Sequence, residues 1–189
     1  MPSGLAWRRW KAADQDEAGL PLPDEREKSA KQERELAAKE LKKAIYDALK
    51  SETENAEQLE AAIDVVATDT GALISVSDTV KDPMFEIGSA VPAPAMVLAV
   101  DAISRILLAR KGGVHIVGHT DQRQFQSEGG GNWRLSTQRA KATYFILLHG
   151  GLPDGRIQEI SGRADRQLRN AADPLSGENR RIEIMLEAL

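Results

Sequence analysis

The sequence predicts an α+β domain: a mixed sheet in the order β-α-β-α-β-β, with two helices packed on one face and a helical linker in front. Three observations carry that expectation. Two long stretches, one opening at Pro92 and Pro94 and one near Asn132, place apolar residues at helical spacing. Short runs such as Val114–Val117 and Ile157–Ser161 are β-rich and bounded by glycine and polar residues. The final segment alternates Ile182, Ile184 and Leu186 with Glu183, Met185 and Glu187, the period of a strand with one buried face. Strands interleaved with helices and closed by a strand suit a sheet covered on one side.

The chain has 189 residues, room for one domain and a flanking segment. Residues 1–23 mix small, charged and proline residues without a period and read as a disordered leader, with Trp7 and Trp10 as its two large side chains. Residues 24–71 are expected to hold a helical linker and the start of a hairpin. Ala, Glu, Lys and Leu dominate the first part. From Leu36, the residues Ala37, Leu41, Ala44, Ile45, Ala48 and Leu49 form one apolar stripe, which must bury against the domain or a second copy of the chain. Val65–Thr68 and Leu73–Val76 read as the arms of a hairpin with Asp69–Gly71 in its turn. Residues 72–189 are expected to form the domain proper. Met84–Ala90 is a short extended piece. Met96, Val97, Val100, Ile103, Ile106, Leu107 and Leu108 line the first helix, which Lys111-Gly112-Gly113 ends with a cation and glycine. Gly150-Gly151 stops the second helix near His149. Polar loops span about 118–131 and 163–177.

Three pieces carry chemistry. Gly118-His119-Thr120-Asp121 sits where a buried strand opens into a loop. Asn132–Ala140 begins a helix and includes Leu135, Ser136 and Arg139. Asn179-Arg180-Arg181 opens the last strand. A helix N-terminus offers free N–H groups and a positive dipole end. Asp121 is suited to an ammonium, and Arg139 with the helix N–H groups to carboxylates, so the pocket suits a zwitterion. His119 is expected to orient Asp121 or line the pocket.

In order and spacing these three pieces resemble the OmpA/MotB peptidoglycan-binding family: a GHTD-type strand end, an LSxxRA helix start and a terminal NRRIEI-like strand, here Gly118–Asp121, Leu135–Ala140 and Asn179–Ile184. The resemblance covers roughly residues 72–189. It implies a fold of the OmpA-like type and a non-catalytic grip on the diaminopimelate of the peptidoglycan stem, with Asp121 and Arg139 as the holding pair. Thr120, His119, Asn132, Leu135, Ser136 and Arg180 are the further ligand-binding candidates. Asn132–Ser136 and the stretch MFEIGSAVPAP resemble the MotB branch, rhizobial type, which anchors the flagellar motor stator to the wall. The loop QRQFQSEGGG after Asp121 departs from the family in lacking the proline often found there. The resemblance implies a homodimer and, given a membrane helix upstream, the stator partner subunit MotA. The alternative is another cell-wall anchor of the family, a Pal-like envelope protein, or a soluble remnant.

Other classes are disfavoured. The net charge of −4 argues against a nucleic-acid partner. With no cysteine there is neither a disulfide framework nor a thiolate metal site, nor the lipobox of a Pal-like lipoprotein. A metal hydrolase built on His115 and His119 fails on geometry: positions i and i+4 of a strand are about 13 Å apart, too far for one ion. No catalytic triad or carboxylate pair stands out, so no cofactor and no enzyme activity are expected. No run approaches the roughly 20 apolar residues of a spanning helix. The pair Arg8-Arg9 is not followed by the apolar run of an export signal. A wall-binding domain must be exported, so residues 1–23 are not expected to be a native mature start. A functional version is expected to be the periplasmic domain of an inner-membrane protein with its anchor upstream.

Overall fold

The computed structural model describes residues 23–79, 83–86, 88–124 and 130–187. The leader with Trp7 and Trp10, the basic pair Arg8-Arg9 and part of the loop after Asp121 lie outside them. By internal contacts the chain divides into two compact units, Met1–Glu33 and Arg34–Leu189. Of the first unit only the opening turns of a helix are described.

Helix α1 (Pro23–Lys50) is followed by a short α2 (Ala56–Ala62), which runs directly into β1 (Ile63–Ala67). Helix α2 is largely polar, and its inner side is Ala56, Leu59 and Ala62. The hairpin partner is β2 (Gly71–Ser77), paired antiparallel from Ile63↔Val76 to Ala67↔Ala72. Then come α3 (Pro94–Leu108), β3 (Val114–Gly118), α4 (Gly131–His149), β4 (Ile157–Gly162) and β5 (Arg181–Glu187). The five strands order as β1-β2-β5-β3-β4, with β3 and β4 parallel and the other pairs antiparallel. The architecture is α+β with a mixed sheet, as the element order predicted.

One sheet face forms the core. Ile74, Val76, Ile182, Ile184, Leu186, Val114 and Ile116 are buried there with Met96, Val100, Ile103 and Leu107 of α3 and Leu147 of α4. Leu41, Ile45 and Leu49 of α1 belong to the same cluster and are fully buried. The apolar stripe of the linker helix therefore finds its partner in its own chain, and that stripe supplies no reason for a second copy. Leu36, counted in the same stripe, is 59% exposed and lies outside it. The sheet's first strand and α1's buried side both precede Ala72.

Candidate functional site

The sheet's central strands end side by side, and that places the site. Register pairs Ser77 of β2 with Arg181 of β5, and Gly118 of β3 with Ile182. Backbone hydrogen bonds continue past the strands: Asp78 N–H donates to Arg180 O (3.1 Å), His119 N–H to Arg181 O (2.9 Å) and Thr120 N–H to Ala164 O (2.9 Å). Asp78, Arg180 and Asp121 are thus brought to one edge of the core.

Arg180 bridges the two carboxylates. Its Nε donates to Asp78 Oδ2 at 2.6 Å and its Nη1 to Asp121 Oδ2 at 2.7 Å. Burial works against the Arg180 charge, yet the two carboxylates outweigh it and raise its pKa. Each aspartate also caps local backbone: Met84 N–H donates to Asp78 Oδ1 (2.7 Å) and Arg123 N–H to Asp121 Oδ1 (3.1 Å). Both carboxylates are nearly buried, and each oxygen accepts one of these hydrogen bonds.

Helix α4 brings the second cation. Asn132, Leu135 and Arg139 stand at i, i+3 and i+7, one face of the helix, and all three line a cleft of 490 Å³ with Asp78, Phe85, Gly88, Thr120, Asp121, Arg123 and Arg180. The adjoining side of the helix, at Ser136 and Thr137, is held hard against the sheet. A Cβ on Gly118 would stand 2.1 Å from Ser136 O, and one on Gly162 2.4 Å from Ser136 Oγ, so only glycine lets the helix approach this closely. That approach fixes the height of Arg139 over the strand ends.

Arg139 is 4% exposed. Its Nε donates to Ser89 O (2.9 Å) and its guanidinium lies 4.9 Å from the centre of the Phe85 ring. Among the described residues no carboxylate stands within ion-pair distance of it, and Ser89 O is its one hydrogen-bond partner. Burial is the main cause that pushes its pKa down, with Arg180 adding to this and Asp78 and Asp121 opposing it. The platform beneath it is a small loop: Ala93 N–H donates to Met84 O (3.0 Å), Glu86 N–H to Val91 O (3.2 Å), and Gly88 turns the chain at φ 65°. Thr120 Oγ1 is buried without a hydrogen-bond partner among the described residues. Among the described residues the cluster therefore holds two carboxylates, the buried guanidinium of Arg139, the half-buried one of Arg180 and an unpaired hydroxyl.

Of the sequence candidates, Asp121, Arg139, Thr120, Asn132, Leu135 and Arg180 meet at this cleft. Asn132 is partly a loop anchor, its Nδ2 donating to Arg123 O (2.9 Å) and Asp121 O (3.3 Å). His119 and Ser136 are not brought to it. His119 is buried with Nε2 3.1 Å from Glu183 Oε2. Ser136 Oγ donates to Trp133 O (3.0 Å) and accepts from Ala164 N–H (3.1 Å), a link between helix and loop. Asp78, Phe85 and Ser89 were missed. Asp78 had the same signal as Asp121, an acid at the end of a β-rich run; nothing local marks Phe85. Asn179 of the third motif is fully buried and ties the loop before β5, donating to Asn170 O (3.1 Å) and Asp173 O (2.9 Å). His115 pairs with Glu187 (2.8 Å) rather than with His119. Among the described residues no group of three or more His, Asp or Glu is placed to hold a metal.

The sequence profile of the OmpA family matches residues 84–181. The chain belongs to the OmpA family. Within it, the chain is 33% identical over 118 residues to Motility protein B of Escherichia coli K12, covering 61% of this chain and 38% of that protein. It is 29% identical over 174 residues to LafU, a flagellar export/assembly protein of Escherichia coli O44:H18, covering 89% of this chain and 57% of the relative. The chain thus spans little more than half of one relative and under half of the other. A solved structure, the cell wall anchor of the T6SS from Pseudomonas aeruginosa, matches at TM-score 0.59 and 26% identity over 71% of this chain and 94% of that one. The OmpA-like fold and the likeness to Motility protein B are those the motifs implied.

Proposed function

We propose that this OmpA-family chain binds the peptide stem of peptidoglycan without catalysis, through the amino-acid end of diaminopimelate, and so anchors a flagellar motor stator to the cell wall. One observation carries the reading: Arg139 is buried in the cleft with no carboxylate partner among the described residues, beside the Asp78–Arg180–Asp121 bridge. An unpaired buried cation is costly, and a ligand carboxylate offsets that cost. The same ligand end must bring an ammonium, because Asp121 stands close by. A carboxylate has about four lone-pair positions; among the described residues Asp121 accepts from Arg180 and from Arg123 N–H, leaving room for a donor. Thr120 Oγ1 is the neutral partner for the same group.

The motility assignment is supported by the two relatives, and wall anchoring by the T6SS structure. On this reading the chain works in the periplasm, in a protein held in the inner membrane upstream, with MotA as the stator partner. Among the described residues no helix is long and apolar enough to cross a membrane. Self-association as a homodimer belongs to the same reading; a monomer mass by light scattering at high concentration removes that part alone.

Pull-down with purified sacculi is the test. Asp121→Ala and Arg139→Ala are each expected to lower binding at least ten-fold, and free meso-diaminopimelate is expected to compete with the parent chain. Undiminished binding by either variant, with unchanged circular dichroism, overturns the assignment.

A further inference from the structure

The geometry points to Arg123 as a second anion subsite, which holds the free α-carboxylate of the D-glutamate that precedes diaminopimelate in the stem. This inference rests on the diaminopimelate reading above.

Three features single out Arg123 at the rim of the cleft. Its backbone is fixed twice: its N–H donates to Asp121 Oδ1 (3.1 Å) and its carbonyl accepts from Asn132 Nδ2 (2.9 Å). The residue is therefore planted between the end of β3 and the start of α4, not carried on a free loop. Its side chain is 62% exposed, and its Nε stands 3.6 Å from Asp121 Oδ2, within ion-pair reach but beyond a hydrogen bond. The other two cationic groups of the cleft are committed elsewhere: Arg180 to Asp78 and Asp121, and Arg139 to the buried end.

Charge complementarity decides the occupant. Among the described residues the lining carboxylates are Asp78 and Asp121, and the lining cations are Arg139, Arg180 and Arg123. A zwitterion leaves that balance one positive charge in excess, at the open end. The stem supplies the matching group: D-glutamate is joined through its side-chain carboxyl, so its α-carboxylate stays free one residue from diaminopimelate. A guanidinium can take it through two parallel hydrogen bonds. The exposure of Arg123 sets the scale, since a solvated ion pair adds only a small factor to affinity.

Titration calorimetry on the full chain tests this with three defined ligands: meso-diaminopimelate, γ-D-glutamyl-meso-diaminopimelate, and that dipeptide with the glutamyl α-carboxylate amidated. The acid dipeptide is expected to bind about five-fold more tightly than the amide, with the ratio shrinking as salt rises. In Arg123→Gln the ratio is expected to fall to about one, and in Arg123→Lys to be partly kept. An acid-to-amide ratio near one in the parent chain, or a ratio that survives in Arg123→Gln, overturns the subsite while leaving the diaminopimelate reading intact. Absence of binding by all three ligands to the parent chain overturns both.

Discussion

Glu183 shows how a single side chain is set by its neighbours. It lies on β5, opposite the helices, with His119 Nε2 at 3.1 Å and Arg181 Nε at 2.8 Å. Burial pushes its pKa up, but the hydrogen bond from His119 and the charge of Arg181 outweigh burial and hold it at about 2. The folded pKa is therefore below the ordinary carboxylate value near 4.5. Stability from this group is fully present above pH 4.5 and is lost as pH falls from there toward 2. The contribution is on the order of 3 kcal/mol. Glu183→Gln is expected to lower the urea midpoint at pH 7 and to flatten the acid loss between pH 4.5 and 2; urea titrations across that range check both. A variant with the parent's acid slope would show that the network stores nothing. The same residue-scale logic separates Arg139 from Arg181. Both are buried arginines, but Arg181 has Glu183 and Gln167 O as partners, whereas among the described residues Arg139 has a carbonyl and a ring.

At the scale of elements, α1 is the informative one. Its buried positions Leu41, Ile45 and Leu49 are spaced by four, so they form one ridge that enters the core. Ile45→Ala is expected to cost about 2–5 kcal/mol, the usual range for emptying such a site, while Leu36→Ala, at an exposed position, is expected to change little. Thermal and urea unfolding of the two variants check this; equal, small effects would mean that the helix is a loosely docked strap. Helix α4 illustrates the complementary device. Gly118 and Gly162 contribute no side chain, and this absence lets Ser136 and Thr137 touch the sheet and Arg139 reach the cleft.

For the whole molecule, the question is where the folding unit begins. The compact unit runs from Arg34, and both β1 and the α1 ridge lie ahead of residue 72. A chain begun at Ala72 exposes the edge of β2 and opens a cavity where Leu41, Ile45 and Leu49 stood. It is expected to lose cooperative unfolding, whereas a chain begun at Arg34 is expected to keep it. Calorimetry on the two truncations decides whether 72–189 suffices as a domain. A sharp transition from the shorter chain would show that α1 and β1 are additions to a core that stands without them.

What the sequence by itself determined was local. The alternation in β5, the proline opening and cationic glycine ending of α3, and the spans of β3 and α4 all follow from periodicity and capping, which are properties of neighbours in the chain. The three motifs also marked six of the residues that meet at the cleft. Only the tertiary structure decided the rest. Whether the α1 stripe buries against its own domain depends on a surface far along the chain. That Asp78 shares Arg180 with Asp121 depends on β5 lying between β2 and β3, a pairing across 102 and 59 residues of sequence. That His119 turns to Glu183, and not to the cleft, depends on which face of β3 its side chain leaves from once β5 is in place. Charge pairing between distant segments has no period to read, because it is set by sheet order and register and not by the residues on either side.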